Sequence, residues 1–465
     1  MSVAEATPDL EQTGTEDRSF LGHPKGLGYL GFTEGCERFS YYSMQTLLTL
    51  YMVNYLLVPG RMEKVVGLTW LQAHVYRGLE GQPLASAIFG TYTALVYFTP
   101  IFGGILADSV LGRNRTLILG GLLMALGHFL MAIEGAFLFA LLALLLGVGA
   151  FKGNIASQVG ALYGPNDLRR AMAFQIFYIF INVSVIIAPL VSGTLGQKVG
   201  WHYGFGCAGV VMVIGLFIYL SGRRWLAPEE QPSRKVEKTG REKLSRDDWL
   251  CVIYLVILIP VLAVAMLTNQ QIFNAYLVWG DKHFDLRLLN NTSSWLITVD
   301  AAVSFAMLVA VAAFWKWWAT RRREPDEITK MIIGSVFTIA GALCLFMAAL
   351  TGQGGQKISL FWPMLFEIMN SIGFAHILPI SLALFSKIAP RQINATVIGL
   401  YYLAFFVANA LVGWVGGLYS SLPTTTFWLI HAASAAVGLV AFVLFKVVLG
   451  KRMESTPRDQ AAALS

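Results

Sequence analysis

Long apolar runs separated by short polar segments dominate this chain, and a run of about 18 or more such residues reads as a membrane-spanning helix. The runs fall at approximately 28–57, 85–107, 116–133, 137–162, 171–195, 204–221, 249–278, 295–318, 329–350, 359–385, 393–419 and 424–447. The pattern therefore predicts an all-α membrane protein with twelve transmembrane helices. A polar stretch from about Ser221 to Asp248, with Pro228 and Pro232, divides the helices six and six. The expected organisation is an N-terminal tail (1–26), a six-helix bundle (27–221), a linker (222–248), a second bundle (249–448) and a C-terminal tail (449–465).

Composition narrows the class further. Of 465 residues, 56% are hydrophobic and only 13% charged, whereas soluble domains carry roughly a quarter charged residues. Residues 1–26 are polar and lack the short apolar core and small-residue cleavage site of a signal peptide. Cys36, Cys207, Cys251 and Cys344 have no paired spacing, which excludes a disulfide framework or zinc site as the reading; they are packing residues. The net charge of +7 resides in alternate loops: Arg113 and Arg115; Arg169 and Arg170; the basic linker; Arg321, Arg322 and Arg323; Lys387 and Arg391. That distribution is a topology signal and speaks against nucleic acid. By the positive-inside rule these loops and both termini are cytoplasmic, although Arg61, Lys64 and Arg77 in the 58–84 loop weaken the asymmetry.

Within the first apolar run stand Glu34, Glu37 and Arg38, followed by Tyr41, Tyr42 and Gln45. Each ionised group near the middle of a span opposes insertion by about 2.5–3.5 kcal/mol. Glu34 and Arg38 are four residues apart and Glu34 and Glu37 three, so one helix face is polar and proton-active. A structural Glu34–Arg38 pair explains one acid and leaves the other over. An acid that meets two environments can take up and release a proton, since burial raises a carboxyl pKa while a nearby arginine lowers it, and Glu34 and Glu37 beside Arg38 meet that requirement. The intramembrane histidines His128, His376 and His431 each stand alone and read as hydrogen-bonded packing residues.

Four ordered motifs carry a resemblance. Glu34 to Tyr42 reads EGCERFSYY; Gly147, Gly149, Lys152, Asn154 and Ile155 form a GxGxxKxNI stretch. Phe177, Tyr178, Ile181 and Asn182 lead to Ala188, Pro189 and Leu190 and on to Gly200, Trp201, Gly204 and Phe205, while Lys387 to Pro390 follows the tenth run. Together they resemble the proton-dependent oligopeptide transporter family of the major facilitator superfamily. Gly103, Gly104, Asp108, Gly112, Arg113 and Arg115 look like that superfamily's loop motif between the second and third helices.

The resemblance implies a symporter in the cell (inner) membrane, importing dipeptides and tripeptides on the proton gradient by alternating access, without a cofactor, as a monomer among lipids. A peptide of any side chain offers a carboxylate and an ammonium. Arg38 and Lys152 suit the first, by a bidentate fork and a point charge, and Tyr41, Tyr42, Tyr92, Tyr178 and Asn182 suit the backbone. Departures from the family pattern are also present. Gln45 stands where a second arginine is common, and Asn269, Gln270 and Gln271 stand where glutamate precedes glutamine, so both ends of one inter-half ion pair are neutralised together. The gate on the outer side is then expected to rest on hydrogen bonds. Asp300 replaces an asparagine, Tyr401 a tryptophan, and Phe374 the glutamate expected to bind the peptide ammonium. Glu367, seven residues earlier on the same face, is the preferred ammonium partner over Asp300. The linker has no room for the two extra helices that many bacterial members carry.

Fold does not fix substrate, so another solute such as nitrate, a drug or a modified peptide is the alternative, with a non-transporting peptide sensor as a third reading. No HExxH, GxSxG or paired-metal spacing supports an enzyme.

Overall fold

The structure, a computed structural model, describes residues 17–164, 167–228, 244–390 and 393–454. Most of each expected tail and the centre of the linker lie outside the described residues.

Twelve long helical segments run through them. In chain order they are α1 (Lys25–Tyr51, continued by Met52–Leu56), α2 (Gly81–Leu111), α3 (Arg113–Leu130), α4 (Phe137–Ala161), α5 (Arg169–Val199) and α6 (Trp201–Trp225). The second set is α7 (Arg246–Ala265, resuming to His283), α8 (Trp295–Ala319), α9 (Glu327–Thr351), α10 (Phe361–Ile388), α11 (Thr396–Ser420) and α12 (Thr424–Glu454). Ten of these are long and apolar enough to cross a membrane; α1 and α3, with their charged residues, are the two that fall short on that measure.

Backbone chemistry explains where the helices deviate from straight rods. In lipid every backbone N–H and C=O needs a partner, so interruptions occur where a residue forces them. Pro189 lacks an N–H, and α5 widens into π turns over Pro189–Gly193 and Leu195–Val199. Gly112 has φ +81°, a left-handed conformation that ends α2 and starts α3. The largest departure from the apolar pattern is in α7, which breaks after Ala265 and again at Asn274 (φ −120°, ψ −108°) before resuming as Ala275–His283. A short helix, Leu68–His74, lies in the loop before α2.

Small residues set the closest approaches. A Cβ added at Gly103 would stand 2.0 Å from the Gly149 carbonyl, so α2 and α4 touch backbone to backbone. At the seam between bundles, a Cβ on Gly90 of α2 would stand 2.4 Å from Gly413 Cα of α11. The other broad contact between the bundles is α5 against α8.

The basic-loop face of the second bundle is stapled by charge. Asp326 caps α9 by accepting from the Thr329 backbone N–H at 2.9 Å and binds Lys446 Nζ of α12 at 2.8 Å. Partial burial raises this carboxyl, but Lys446 and Thr329 outweigh burial and hold it at about 2. His128 meets Ser40 Oγ at 2.6 Å, His376 meets Trp315 Nε1 at 3.1 Å, and His431 meets the Phe427 carbonyl at 2.9 Å, each tying helices or turns together.

Candidate functional site

The stripe on α1 forms a compact ionic cluster. Arg38 Nε lies 3.1 Å from Glu34 Oε1 and 2.5 Å from Glu37 Oε2. The three residues are 5%, 4% and 0% exposed, and Glu34 Oε2, Glu37 Oε1 and Arg38 Nη2 are buried with no hydrogen-bond partner. Buried charge with unused donors and acceptors is costly, and a ligand or a change of protonation is what relieves it.

Lys152 on α4 joins this cluster through space. Its Nζ sits 4.6 Å from the centroid of the Tyr97 ring and within electrostatic range of Arg38, Glu37 and Glu34, with no ion pair among the described residues. Two acids and two bases make the cluster neutral when all are ionised. The Tyr41 hydroxyl accepts from Gln45 Nε2 at 2.9 Å, and the Arg38 guanidinium lies 5.3 Å from the Tyr41 ring. Tyr92, 5% exposed, is within range of Glu37.

The second bundle supplies acids without bases. The Tyr276 hydroxyl, on the resumed part of α7, donates to Glu367 Oε1 at 2.8 Å. Asp300 of α8 and Glu367 of α10 are 9% and 1% exposed, and their carboxyls meet. The sequence presents these two residues as competing candidates, whereas the structure joins them. Tyr42 stands between the halves, within electrostatic range of both Arg38 and Asp300, with its ring 6.4 Å from that of Phe273.

Other sequence candidates are placed differently. Tyr178 of α5 is 60% exposed and within range of Tyr402 on α11, and its carbonyl accepts from Asn182 Nδ2 at 2.8 Å. Tyr401 is 1% exposed, and its hydroxyl is bound to Ser381 Oγ and the Leu378 carbonyl, each at 3.1 Å, so it packs α11 onto α10. Phe374 is half-buried on α10, and Gln270 Nε2 donates to Asn269 Oδ1 at 3.2 Å. The sequence reading missed Tyr97, Tyr276 and Tyr402. All three lie within apolar runs, and none falls in the motifs that carry the resemblance.

Hydrogen bonds between the bundles lie on the face away from the basic loops. Asp281, past the second α7 break, accepts from Asn54 Nδ2 at 3.1 Å, Gln197 Nε2 at 3.3 Å and Ser293 Oγ at 2.7 Å. Thr49 Oγ1 donates to the Phe273 carbonyl at 3.2 Å, Ser86 Oγ to Asn274 Oδ1 at 3.0 Å, and Trp295 Nε1 to Thr194 Oγ1 at 2.9 Å. Among the described residues every ion pair stays within one bundle. The closure of this face therefore uses hydrogen bonds, and Asp281 is its charged acceptor. Removing a bond to a charged group costs about 1.5–3 kcal/mol. Asp281→Ala is expected to shift the open-to-closed ratio of this face at least about tenfold toward open. Pulsed electron resonance distances between spin labels at the ends of α1 and α7 would show it, and an unchanged distance distribution would remove Asp281 from the gate.

Similarity to known proteins agrees with this geometry. A family model described as Major Facilitator Superfamily matches residues 39–411. The uncharacterized transporter YclF of Bacillus subtilis is 30% identical over 93% of this chain and 94% of its own. The peptide transporter YePEPT of Yersinia enterocolitica is 28% identical over 96% and 98%, and a di-/tripeptide transporter of Lactococcus lactis is 27% identical over 95% and 99%. A crystal structure of a mutant of the peptide transporter POT superposes with a TM-score of 0.79 at 27% identity, covering 94% of this chain and 96% of that one. The chain belongs to the proton-dependent oligopeptide transporter family of the major facilitator superfamily. Membership makes this transporter a multi-pass membrane protein, and the two α-helical sets described above are the superfamily's helical architecture. In this transporter, then, Tyr42 lies within electrostatic range of both the α1 cluster and Asp300 of the other half.

Proposed function

We propose that this transporter is a proton-coupled importer of dipeptides and tripeptides in the cell membrane, with both termini cytoplasmic, working as a monomer without a cofactor. The observation that carries the proposal is the charge arrangement: a cluster able to gain positive charge in one half, and acids without bases in the other. Similarity to named peptide transporters over nearly the whole chain supports the substrate class.

The coupling follows from charge bookkeeping at the cluster. With Glu34 and Glu37 ionised, Arg38 and Lys152 are neutralised and have little attraction for an anion. Protonating one acid leaves the cluster at +1 and frees part of Arg38, whose fork then takes the peptide carboxylate beside Lys152. The peptide ammonium is drawn to Asp300 and Glu367, and Tyr42 between the halves hydrogen-bonds the backbone. Proton and carboxylate thus bind the same cluster cooperatively. When the basic-loop side opens to a less acidic compartment, loss of the proton restores the acid's hold on Arg38 and expels the peptide.

Purified transporter in vesicles tests the substrate class. With an inside-negative potential and an acidic exterior, dialanine is expected to accumulate and nitrate to remain at its uncoupled distribution. Nitrate accumulation with no dialanine movement would replace the peptide reading by the alternative solute, and dialanine binding without uptake would make the protein a sensor.

A further inference from the structure

Asp300 and Glu367 are two buried carboxyls in contact, and among the described residues no base faces them. The polar groups on the pair are hydroxyls, Tyr276 of α7 on Glu367 and Ser304 of α8 on Asp300, and Tyr42 of α1 lies within electrostatic range of Asp300. Ser304 in turn meets Ser371 Oγ of α10 at 2.9 Å, and α9 presents Gly341 and Thr338 to this part of α10. From α12, Trp428 comes within 6.4 Å of the Tyr276 ring, with His431 behind it, 5.1 Å from Trp428.

Tyr276 already donates to Glu367 Oε1, so that bond does not serve the other oxygen. Asp300 Oδ1 and Glu367 Oε2 are each buried with no hydrogen-bond donor. Two acceptor oxygens on touching carboxyls, nine-tenths or more buried and with no donor, need a proton between them to be satisfied. Like charges at contact in a site of low dielectric cannot both be kept ionised at modest cost.

We propose that Asp300 and Glu367 hold one proton between them and act as a single monoanionic subsite for the amino group of the substrate. The proton bridges the carboxyls as an O–H···O⁻ hydrogen bond, and no bond other than this O–H is made or broken. The unit carries −1, which matches one ammonium, and the proton stays on the pair through the cycle. A pair of free carboxylates at −2 would favour a dication, and a lone neutral acid would offer no charge at all. This inference rests on the peptide reading for its ligand but not for its proton.

Infrared difference spectra of the purified, substrate-free transporter at neutral pH test it. Wild type minus Glu367→Gln should show a protonated-carboxyl C=O band, and wild type minus Asp300→Asn should show the same band, because either change removes the sharing partner. Glutamine keeps an oxygen for Tyr276, its amide can donate to the Asp300 carboxylate, and the site stays at −1, so the melting temperature should hold. Tyr276→Phe, which keeps both carboxyls, should retain the band with a shifted frequency. Loss of carboxylate bands only, with no C=O band, would show two free carboxylates and overturn the proposal. Survival of the band in Asp300→Asn would place the proton on Glu367 alone and overturn the sharing. In binding assays, N-acetylation of dialanine should weaken wild type about ten- to a hundredfold, the loss expected for a charge-assisted bond, and add little in Glu367→Gln. A shared band with no binding of dialanine would support the proton dyad and overturn only the peptide reading.

Discussion

Glu37→Gln is expected to reduce the accumulation ratio of dialanine in energised vesicles to about one while leaving counterflow exchange intact. In wild type, one positive charge carried inward gains about 2.3 kcal/mol per 100 mV, enough for several tens of fold before any pH gradient is added. Glutamine keeps the shape of the side chain and carries no titratable proton. Glu37 is the acid with no exposure and the shorter contact to Arg38, at 2.5 Å. Without it the cluster stays at +1 in both access states, so the carboxylate still binds and the loaded carrier still turns. What is lost is the change of charge between states, and counterflow does not need it. Glu34→Gln removes the same unit of charge and should behave alike. If both variants still concentrate peptide, the coupling proton sits elsewhere.

Lys152→Ala should weaken dialanine about ten- to a hundredfold, the loss of one charge-assisted bond of about 1.5–3 kcal/mol. Lys152 has no ion-pair partner among the described residues and faces Tyr97, so its removal leaves no acid stripped of a contact base. The melting temperature should hold. Arg38→Ala differs in kind, because it strips Glu34 and Glu37 of their contact cation, and breaking a buried pair in this way costs about 3–5 kcal/mol. Its loss of binding should therefore come with a lower melting temperature. Amidating the carboxyl end of dialanine gives the control: it should weaken wild type as Lys152→Ala does, and add little to that variant. Equal sensitivity to amidation in the two proteins would assign the carboxylate to another residue.

Helix positions were legible because a bilayer imposes a length on apolar runs. The expected run 137–162 becomes Phe137–Ala161 and 295–318 becomes Trp295–Ala319. The breaks in α7 were not legible, since Met266 to Asn274 is mostly apolar or amide and the sharper break depends on Asn274 being held against Ser86 and Val412 across the fold. The α1 cluster was legible because intramembrane charges at helical spacing are rare. The union of Asp300 with Glu367 was not, because it depends on how α8 packs on α10, and a single sequence carries no record of that contact. Tyr401 illustrates the converse: its position suggested a role in binding, but the hydroxyl is committed to Ser381 and Leu378. The hydrogen-bonded gate followed from two absences, Gln45 and Asn269, while its centre at Asp281 required the fold.

The most direct test of coupled peptide import is acidification of the lumen of vesicles that contain the purified transporter and a trapped pH-sensitive dye. With an inside-negative potential and no initial pH difference, adding dialanine outside should acidify the lumen, and N-acetylated, amidated dialanine should do so far less. Uptake of labelled dialanine with no acidification, or acidification that is the same without peptide, would contradict the account.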